Sequence, residues 1–556
     1  MDYSILVGGA AGQGMDTFSK LLDKTLKRCG FYVFTNNDFM SRVRGGHNFT
    51  QIRFSDEPIY SHSSKVDIIF ALNEETVSIH NGRLKEGGII IVDIEVAKEE
   101  DIIHLPLTDK AKELKNTKVY PTVGLGAMLK YLGLPIDIAK EVIRDRLNEK
   151  VAEVNIKALE LGYELTEEKY NLKIDKDENI LIDGNEAVAL GAIAAGCKFY
   201  CGYPMTPSTG VLSYIASKGE EMGIAVDQVE DEVAALNMAL GVSYAGVRAM
   251  TGSSGGGFSL MVEALSLAGI IETPIVVINV QRPGPATGLP TRTEQSDLRF
   301  LIHAGHGEFP RMVIAVRNVE DAFYQTTRAF NMAEKYQIPV LLMSDQYLSD
   351  SMSTVKPFDF KKVTIERHIA SENDIGEGEY KRYKYSESGI SPRLIPGQIK
   401  GQVVLVDSDE HDEYGNITED AEVRKNMVDK RMKKIEGLKN ELLEPWVLGQ
   451  ERAENLIVCW GSTYGAVKEA IERLEKEGIS IGALVYGDIW PFPTKKLLEG
   501  RKYASKIIDI EQNATAQLDS LIREEALFKC THKILKYDGR AFSGDEIYRR
   551  LKEEVL

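Results

Sequence analysis

A turn that combines two prolines with hydroxyl side chains offers the most distinctive chemistry in this sequence. It spans Tyr203–Thr209, between a short apolar run and a predicted helix. Pro204 and the second proline hold this turn extended and rigid, because proline fixes its own φ and restricts the residue before it. Thr206 then lies just after a predicted strand, where open α/β sheets bind their ligands. The alternative is that Ser208 or its neighbour only caps the next helix.

Three consecutive acids, Glu230, Asp231 and Glu232, occupy an equivalent place after another predicted strand. They precede a predicted helix over Ala234–Tyr244. The dipole of a helix favours an acid at its N-terminus, which would explain one carboxylate here. Three exceed that requirement, so we expect one of them to face the edge of the sheet.

Two loops add a glycine-rich segment and a pair of arginines. The first, Thr251–Phe258, contains glycines that would let a ligand approach the backbone closely, although such a run also serves as a flexible turn. The second, Arg282–Gln295, is kept ordered by its prolines. Arg292 suits a substrate carboxylate, because guanidinium is always charged and can bond both oxygens. The alternative is that Arg292 ties the loop to Glu294 or to another acid.

A further glycine-rich turn, Gly8–Gly14, lies near the start of the chain between a predicted strand and a predicted helix. This geometry surrounds a phosphate with backbone N–H groups. The glycine spacing matches neither a dinucleotide fingerprint nor a Walker loop, and the turn could serve only to bring helix and strand together. The cationic segment Ser41–Asn48, with Arg42 and Arg44, favours an anionic ligand, or else is a solvated loop paired with nearby acids.

Strands and helices alternate through most of the chain, which predicts an α/β protein with several doubly wound parallel sheets. We expect a first domain at 1–160, a charged linker at 161–178, a second domain at 179–350, a connecting region at 351–452 and a third α/β domain at 453–556. The predicted strands are Tyr3–Val7, Tyr32–Thr35, Val66–Leu72, Gly88–Asp93, Phe199–Gly202, Ala225–Val229, Val247–Thr251, Pro274–Val280, Met312–Val316, Pro339–Met343, Leu456–Cys459, Ile479–Tyr486 and Lys506–Ile510.

Outside the first two domains the sequence predicts little chemistry. In the connecting region, His411 lies among loosely spaced acids, which predicts a solvated loop rather than a metal site. In the third domain, Ser462 is a good cap for a helix predicted over Thr463–Lys476. We find no catalytic group there and expect a structural role or a subunit contact.

Composition limits the class of protein. The chain has 556 residues, 43% of them hydrophobic, which predicts three or four domains of roughly 150 residues. A net charge of -17 argues against nucleic acid or an anionic membrane as a partner. We see no signal peptide and no apolar run of the ~18 residues that a membrane span needs. The five cysteines form no Cys-x-x-Cys pair, so we expect a reduced, cytoplasmic chain without a four-cysteine cluster of its own.

The motifs resemble those of the 2-oxoacid:ferredoxin oxidoreductases. Tyr203–Thr209, Gln228–Glu232 and Gly284–Gln295 are similar to segments of the family's alpha component. The first domain resembles the gamma component through Gly8–Gly14 and Ser41–Asn48, an order like that of a fused large subunit. The resemblance implies that the second domain is a transketolase-like pyrimidine-binding domain and that the third is similar to the transketolase C-terminal domain.

The resemblance also implies the reaction: oxidative decarboxylation of a 2-oxoacid to acyl-coenzyme A with thiamine diphosphate, and electrons passed to ferredoxin. In such enzymes a glutamate hydrogen-bonds the cofactor's aminopyrimidine ring. Glu232 fits best, since the helix after it continues through small residues to Gly241, and Glu230 is the second choice.

The other implied site residues fall into three groups. Thr206 would lie near the reacting carbon, beside Pro204 in the cofactor site. Arg292, with Thr291 and Thr206, would hold the substrate. The residues implied for coenzyme A are Gly12, Gly14, Arg42 and Arg44.

The sequence lacks a Gly-Asp-Gly run, which usually holds the diphosphate and its magnesium in thiamine enzymes. We therefore expect an obligate beta partner that carries the diphosphate site, Mg2+ and a 4Fe-4S cluster. The long Gly284–Gln295 loop favours 2-oxoglutarate, with pyruvate and branched 2-oxoacids still open. Two other classes of protein fit the sequence less well. A nucleotide-dependent dehydrogenase built on the first domain is disfavoured by the glycine spacing, which does not match a dinucleotide fingerprint. A non-catalytic scaffold is disfavoured by the presence of Thr206, Glu232 and Arg292.

Overall fold

The computed structural model describes residues 1–41, 46–96, 102–175 and 178–556. Arg42 and Arg44 lie outside these residues. The described chain forms two compact units. The first contains Met1–Asp183, Asp350–Pro357 and Ser543–Ile547, and the second contains Gly184–Ser349, Phe358–Phe542 and Tyr548–Leu556. The five-part division expected from the sequence stays a prediction.

The first part of the chain supplies most elements of the first unit. Its strands are β1 (Asp2–Ala10), β2 (Tyr32–Asp38), β3 (His47–Ser55), β4 (Val66–Ala71), β5 (Leu84–Asp93), β6 (Ile103–Leu105) and β7 (Ile180–Ile182). Its helices are α1 (Met15–Arg28), α2 (Glu74–His80), α3 (Leu107–Glu113), α4 (Tyr120–Tyr131), α5 (Ile136–Arg146) and α6 (Glu149–Tyr163), with 3-10 turns at Asn81–Arg83 and Thr117–Val119.

The middle of the chain alternates strands and helices and then becomes mostly irregular. Its strands are β8 (Phe199–Gly202), β9 (Ala225–Gln228), β10 (Ala249–Ser253), β11 (Ile275–Gln281), β12 (Met312–Ala315), β13 (Pro339–Asp345) and β14 (Met352–Val355). Its helices are α7 (Gly184–Ala194), α8 (Thr209–Met222), α9 (Glu232–Tyr244), α10 (Gly255–Ile270), α11 (Leu298–Ile302), α12 (Val319–Tyr336), α13 (Gln346–Asp350), α14 (Glu372–Ile375) and α15 (Ala421–Lys439), with a 3-10 turn at Phe360–Lys362.

The last part of the chain is again α/β. Its strands are β15 (Trp446–Gly449), β16 (Asn455–Trp460), β17 (Ile481–Tyr486), β18 (Asp488–Trp490), β19 (Lys506–Glu511) and β20 (His532–Leu535). Its helices are α16 (Thr463–Lys476), α17 (Lys495–Gly500), α18 (Gln517–Ala526) and α19 (Gly544–Glu554). The prediction of an α/β protein is confirmed.

The sheet of the first unit is mixed, which corrects the expectation of a parallel sheet in this domain. Its order within the described residues is β6-β5-β4-β1-β3-β2-β14-β7, and β3 runs antiparallel to both β1 and β2. The sequence did not reveal β3 because its buried residues include polar ones. These side chains are paired instead of apolar: Gln51 donates to Ser4 Oγ at 2.9 Å, and Arg53 to Asp2 at 2.6 Å.

The second unit contains two sheets. The larger has the order β18-β12-β13-β11-β10-β8-β9 in the described chain, and all its neighbouring strands are parallel except β12 and β18. The inner parallel strands β11, β12 and β13 bury both faces, which is why their near-continuous apolar runs were visible in the sequence. The smaller sheet has the order β15-β17-β16-β19-β20, with β15 antiparallel to its neighbour. One hydrophobic core, which includes Phe258, Leu341 and Trp460, serves both sheets.

The connecting region packs against the turn between α10 and β11. Lys430 and Lys434 of α15 are buried and bind Glu272, at 2.7 Å and 2.5 Å. His411 is also buried, and its ring lies 3.9 Å from that of Tyr383. The prediction of a solvated loop around His411 was therefore wrong, because an aromatic neighbour distant in sequence covers the imidazole. Among the described residues, no helix is both long and apolar enough to cross a membrane.

Candidate functional site

The proline-rich turn lies at the carboxyl end of β8 and leads into α8. Thr206 is exposed in this turn. Ser208 precedes the first residue of α8, but its Oγ donates to the carbonyl of Met205 at 2.9 Å and makes no capping bond to the helix. The guanidinium of Arg282 donates to the carbonyl oxygen of Thr206 at 2.6 Å. The turn is therefore held at Thr206 by the arginine loop, Arg282–Gln295, and at Pro207 by Asn185 of α7, whose Nδ2 donates to the Pro207 carbonyl at 3.0 Å.

Glu232 is the buried member of the acidic run. It is the first residue of α9 and only 3% exposed, whereas Glu230 is exposed. The capping role falls to Asp231, whose Oδ1 accepts a hydrogen bond from Ala234 N at 2.8 Å. Since Asp231 already satisfies the helix terminus, Glu232 is available for another purpose. Its Oε1 accepts a hydrogen bond from Ser253 Oγ at 3.3 Å.

The glycine loop, Thr251–Phe258, packs against Glu232 and approaches the arginine loop. A Cβ at Gly257 would overlap both the carboxylate of Glu232 and the hydroxyl of Ser253, so only glycine fits there. A Cβ at Gly256 would lie 3.6 Å from the carbonyl oxygen of Ala286. The structure therefore brings together the acidic run, the glycine loop, the arginine loop and, through Arg282, the proline-rich turn.

Several buried polar atoms near this junction have no hydrogen-bond partner among the described residues. Thr251 Oγ1 and Ser254 Oγ lie at the carboxyl end of β10, and Asn279 Oδ1 lies near the end of β11. A buried unsatisfied polar group costs about 1–3 kcal/mol, so such a cluster is expected where a polar ligand binds. Together with the buried carboxylate of Glu232, these donors and acceptors suit a heteroaromatic cofactor with ring nitrogens and an amino group.

A second carboxylate, Asp297, lies beside the glycine loop. Its Oδ2 accepts from Asn279 Nδ2 at 2.9 Å, and burial raises the pKa of its carboxyl group. A Cβ at Gly255 would overlap this carboxylate. Four residues at this junction were not predicted as site residues from the sequence: Asp297, Asn279, Ser253 and Arg282. The available signal was one polar residue, Asn279, inside the otherwise apolar run that predicted β11.

Thr291 and Arg292 lie, partly buried, in the loop between β11 and α11. Glu294 was considered above as a partner for Arg292. Burial dominates the pKa of Glu294 and raises it, whereas a close ion pair with an arginine would lower it. The pKa of Glu294 therefore gives no sign of that pairing.

The other glycine-rich turn belongs to the first unit. Gly12 and Gly14 have φ values of 92° and 86°, in the region that favours glycine, and Gly14 immediately precedes α1. Gln13 closes the turn, because its Oε1 accepts from Ala10 N at 2.6 Å and its Nε2 donates to Leu72 O at 3.2 Å. A Cβ at Gly12 would meet nothing within 4 Å, so the backbone there is open to a ligand.

Three descriptions of protein families match consecutive parts of the chain. "Pyruvate ferredoxin/flavodoxin oxidoreductase" matches residues 4–165, and "Pyruvate flavodoxin/ferredoxin oxidoreductase, thiamine diP-bdg" matches residues 190–430. "Pyruvate:ferredoxin oxidoreductase core domain II" matches residues 453–547.

Individual proteins match two thirds of the chain or more. A 2-oxoacid:ferredoxin oxidoreductase subunit alpha from Sulfolobus sp is 34% identical over 99% of this chain and 96% of its own length. The 2-oxoglutarate synthase subunit KorA of Methanothermobacter marburgensis is 30% identical over 67% of this chain and 98% of its own. The solved structure of 2-oxoglutarate:ferredoxin oxidoreductase from Magnetococcus marinus, with 2-oxoglutarate, coenzyme A and succinyl-CoA bound, has a TM-score of 0.93 and 33% identity, and each chain covers 100% of the other.

Proposed function

Since the chain belongs to the 2-oxoacid:ferredoxin oxidoreductases, as an alpha subunit of these thiamine diphosphate enzymes, we propose that its substrate is 2-oxoglutarate. The products are succinyl-coenzyme A and CO2, and the two electrons released pass to ferredoxin. The observation that carries the proposal is the buried carboxylate of Glu232, at the point where the chemistry-bearing loops of the larger sheet meet.

Thiamine diphosphate, when bound, would supply the carbon nucleophile and electron sink that decarboxylation of a 2-oxoacid needs. Glu232 would hold and exchange a proton with the aminopyrimidine ring, and Ser253 orients the Glu232 carboxyl by donating to Oε1. Burial keeps water from competing for that hydrogen bond. Glu230, exposed on the same turn of chain, serves as the contrast: a solvated carboxylate would not hold a proton at a fixed position.

Substrate binding falls to the two loops joined by Arg282. Arg292, with Thr291, binds the carboxylate next to the 2-oxo carbon, and Thr206 and Pro204 line the wall near the reacting carbon. The second carboxylate of 2-oxoglutarate calls for a second cation. Arg282 meets this requirement, because its Nε has no hydrogen-bond partner among the described residues. The relatives named for 2-oxoglutarate support this choice over pyruvate or a branched 2-oxoacid.

The proposal includes a beta partner that carries the diphosphate site, Mg2+ and the 4Fe-4S cluster. Its support is an exposed apolar surface next to Glu232, which a partner chain would cover. Val233 and Met238 of α9 are 43% and 38% exposed, and Leu260 of α10 is 52% exposed. Coenzyme A would bind at the first unit's turn, through Gly12, Gly14, Arg42 and Arg44, because the turn offers open backbone beside the N-terminus of α1.

The test is anaerobic reduction of a viologen dye by the chain with and without a co-expressed beta subunit. Each mixture contains thiamine diphosphate, Mg2+ and coenzyme A, and 2-oxoglutarate is compared with pyruvate. We expect dye reduction only with the partner, and a higher kcat/KM for 2-oxoglutarate. A higher kcat/KM for pyruvate would overturn the substrate assignment but not the family.

The matched variants are Glu232→Gln and Glu230→Gln. We expect the first to lower kcat by at least about 100-fold and the second to leave it within about twofold, since only the buried carboxyl can transfer a proton in place. The reverse order would move the role to Glu230. Dye reduction unaffected by either change would remove Glu232 from the mechanism.

A further inference from the structure

The smaller sheet of the second unit contains a ligand crevice of its own by topology. Its parallel strands follow the order β17-β16-β19, so the chain reverses direction across the sheet between β16 and β19. In open α/β sheets, ligands bind at such a switch point, outside the carboxyl ends of the strands. β16 ends at Trp460 and β19 ends at Glu511. The side chain found there belongs to the arginine loop: it is Gln295.

Gln295 is completely buried, and its side chain bridges the two strands. Its Nε2 donates to the carbonyl of Trp460 at 2.9 Å. Its Oε1 accepts from Gln512 N at 3.1 Å and from Thr463 Oγ1 at 2.9 Å. The Gln295 carboxamide thus makes the bonds that a polar ligand would make in this crevice.

The backbone around Gln295 is bound in the same place. Gln295 N donates to the carbonyl of Gln512 at 2.7 Å, and Asn513 Nδ2 donates to the carbonyl of Gln295 at 3.1 Å. Two residues earlier, Thr293 N donates to the carbonyl of Gly539 at 3.4 Å. The loop is therefore attached to the smaller sheet on both sides of Glu294.

Ser462 adds a buried bond from the smaller sheet to the larger. The sequence predicted that it caps α16, but its side chain makes no capping bond. Its Oγ donates instead to Asp345 Oδ2 at 2.5 Å, and Asp345 Oδ1 accepts from Thr293 Oγ1 at 3.3 Å. Burial raises the pKa of Asp345 although these hydrogen bonds favour its ionised form. The serine therefore ties α16 to the end of β13, and through Asp345 to the same loop.

Arg292 is adjacent to these attachments. A Cβ at Gly539 would lie 3.3 Å from Arg292 Cβ and 3.1 Å from Leu289 Cδ1, so the glycine backbone packs against the stem of the arginine. Gly539 therefore contacts two consecutive residues of the loop: its carbonyl binds Thr293 N, and its Cα packs against the side chain of Arg292. These contacts fix the backbone of Arg292 beside the smaller sheet. Gln295 is the residue that contributes most of these bonds.

We propose that Gln295 is a positioning residue for substrate binding, and that the smaller sheet serves to hold the arginine loop in its crevice. The smaller sheet binds no ligand of its own at the switch point because Gln295 occupies it. This inference rests on the proposed role of Arg292 as the clamp of the substrate carboxylate. It gives the third domain a role beyond the structural role or subunit contact expected from the sequence.

The experiment uses the assembled enzyme with Gln295→Ala and, as a matched control, Gln337→Ala. Gln337 is equally buried in the same unit and bonds Ser391 O and Arg382, away from this loop. We expect Gln295→Ala to raise the KM for 2-oxoglutarate about tenfold with kcat within about threefold, because a displaced clamp weakens binding before chemistry. Hydrogen exchange should rise in residues 283–296 of this variant only. Unchanged exchange in that segment would overturn the proposal.

A double-mutant cycle separates the positioning role from general destabilisation. Arg292→Met alone should raise the same KM, and adding Gln295→Ala should raise it little further, since the clamp that Gln295 positions is already gone. Independent, additive effects would overturn the positioning role. If Arg292→Met leaves KM unchanged, the clamp itself is refuted, and the exchange data still decide whether Gln295 docks the loop. Thr463→Val, which removes one donor to Gln295, gives the same readouts in a milder form should Gln295→Ala fail to fold.

Discussion

At the scale of single residues, Arg282 has an unusual position. One of its NH groups bonds the carbonyl of Thr206, and burial lowers the pKa of its guanidinium. Partly burying a guanidinium that binds no carboxylate among the described residues is unfavourable, so its place at a loop junction points to function. It is the one side chain whose hydrogen bond, among those described above, links the proline-rich turn to the arginine loop.

We predict that Arg282→Met lowers kcat/KM for 2-oxoglutarate by about tenfold or more, because the Thr206 turn loses its anchor and the substrate loses a cation. Steady-state dye reduction by the assembled enzyme measures this. Arg299→Met is the control, since Arg299 lies in α11 just after the same loop and pairs with Glu524 near the surface. Equal effects of both changes would mean that charge alone, and not the contact with Thr206, is responsible.

The buried pair His47 and His80 in the first unit gives a pH prediction. Their Nε2 atoms are 2.7 Å apart, and burial lowers the pKa of His47 and takes that of His80 to about 3. Arg83 lowers the pKa of His80 further, while Glu75 and Asp38 act in the opposite sense on His47. These groups are neutral in the folded state, so unfolding takes up protons once the pH falls below about 6.5.

Stability therefore falls as the pH is lowered from about 6.5 towards 3, and it is unaffected by these groups above that window. We predict that the melting temperature drops more between pH 7.5 and pH 5 in the wild type than in His80→Phe. The phenyl ring can pack on Phe49 as the imidazole does, at 4.6 Å between ring centres. An equal drop in both proteins, followed by differential scanning calorimetry, would show that other groups control the acid response.

At the scale of elements, a buried charge cluster holds α15 to the turn between α10 and β11. Glu272 binds both Lys430 and Lys434 of that helix. Burial lowers the pKa of Lys434 to about 7, even though the carboxylate opposes this, and the cations hold the pKa of Glu272 far below its usual range. Glu272 is thus the only carboxylate that binds these two lysines in the described chain.

We predict that Glu272→Gln destabilises the protein by about 3–5 kcal/mol, because it leaves buried ammonium groups without a counter-charge. Urea denaturation with two optical probes measures this. Lys425→Met on the exposed side of α15 should leave the free energy of unfolding almost unchanged, since its pair with Asp429 is solvated. A cost for Glu272→Gln as small as that of the control would mean that water reaches the cluster.

Which elements could be predicted from sequence depends on how their buried residues are satisfied. The inner strands β11 and β13 of the larger sheet were visible because both faces bury mostly apolar residues, and α16 has the predicted bounds Thr463–Lys476. β3 was not visible because Gln51 and Arg53 are buried through hydrogen bonds to residues far away in sequence. Choosing between Glu230 and Glu232 required knowing which carboxylate is buried. Recognising the role of Gln295 required knowing its contact with a strand about 165 residues later in the chain. Periodicity contains none of that information.

At the scale of the whole molecule, the first unit is not made from one continuous stretch. β14 inserts between β2 and β7, pairs antiparallel with both, and its Thr354 Oγ1 accepts from Val33 N at 3.0 Å. Gly544 N donates to Ser61 Oγ at 3.3 Å and Asp545 accepts from Ser64 N at 3.0 Å, so a third stretch of chain contributes too. Without β14, β2 would be an open edge and β7 would have no neighbour in the described sheet.

We predict that a fragment of residues 1–183 is less stable than the same unit in the full chain, and that a peptide of residues 350–357 binds it and raises its melting temperature. The peptide supplies the missing strand by main-chain hydrogen bonds, as in strand addition. A peptide with the same composition in scrambled order is the control. If the authentic peptide has no more effect than the scrambled one, β14 is dispensable to the sheet.

The inserted strand also determines when the first sheet can be completed during translation. β7 is complete at residue 182, but β14 emerges from the ribosome only after roughly 170 further residues have been translated. At about 5–20 residues per second that interval is on the order of 10–30 s. During it the amino-terminal sheet has an unpaired edge at β2 while the next sheet is still being made. Chaperones that shield strand edges would therefore act on this nascent chain before its cofactor-binding half exists.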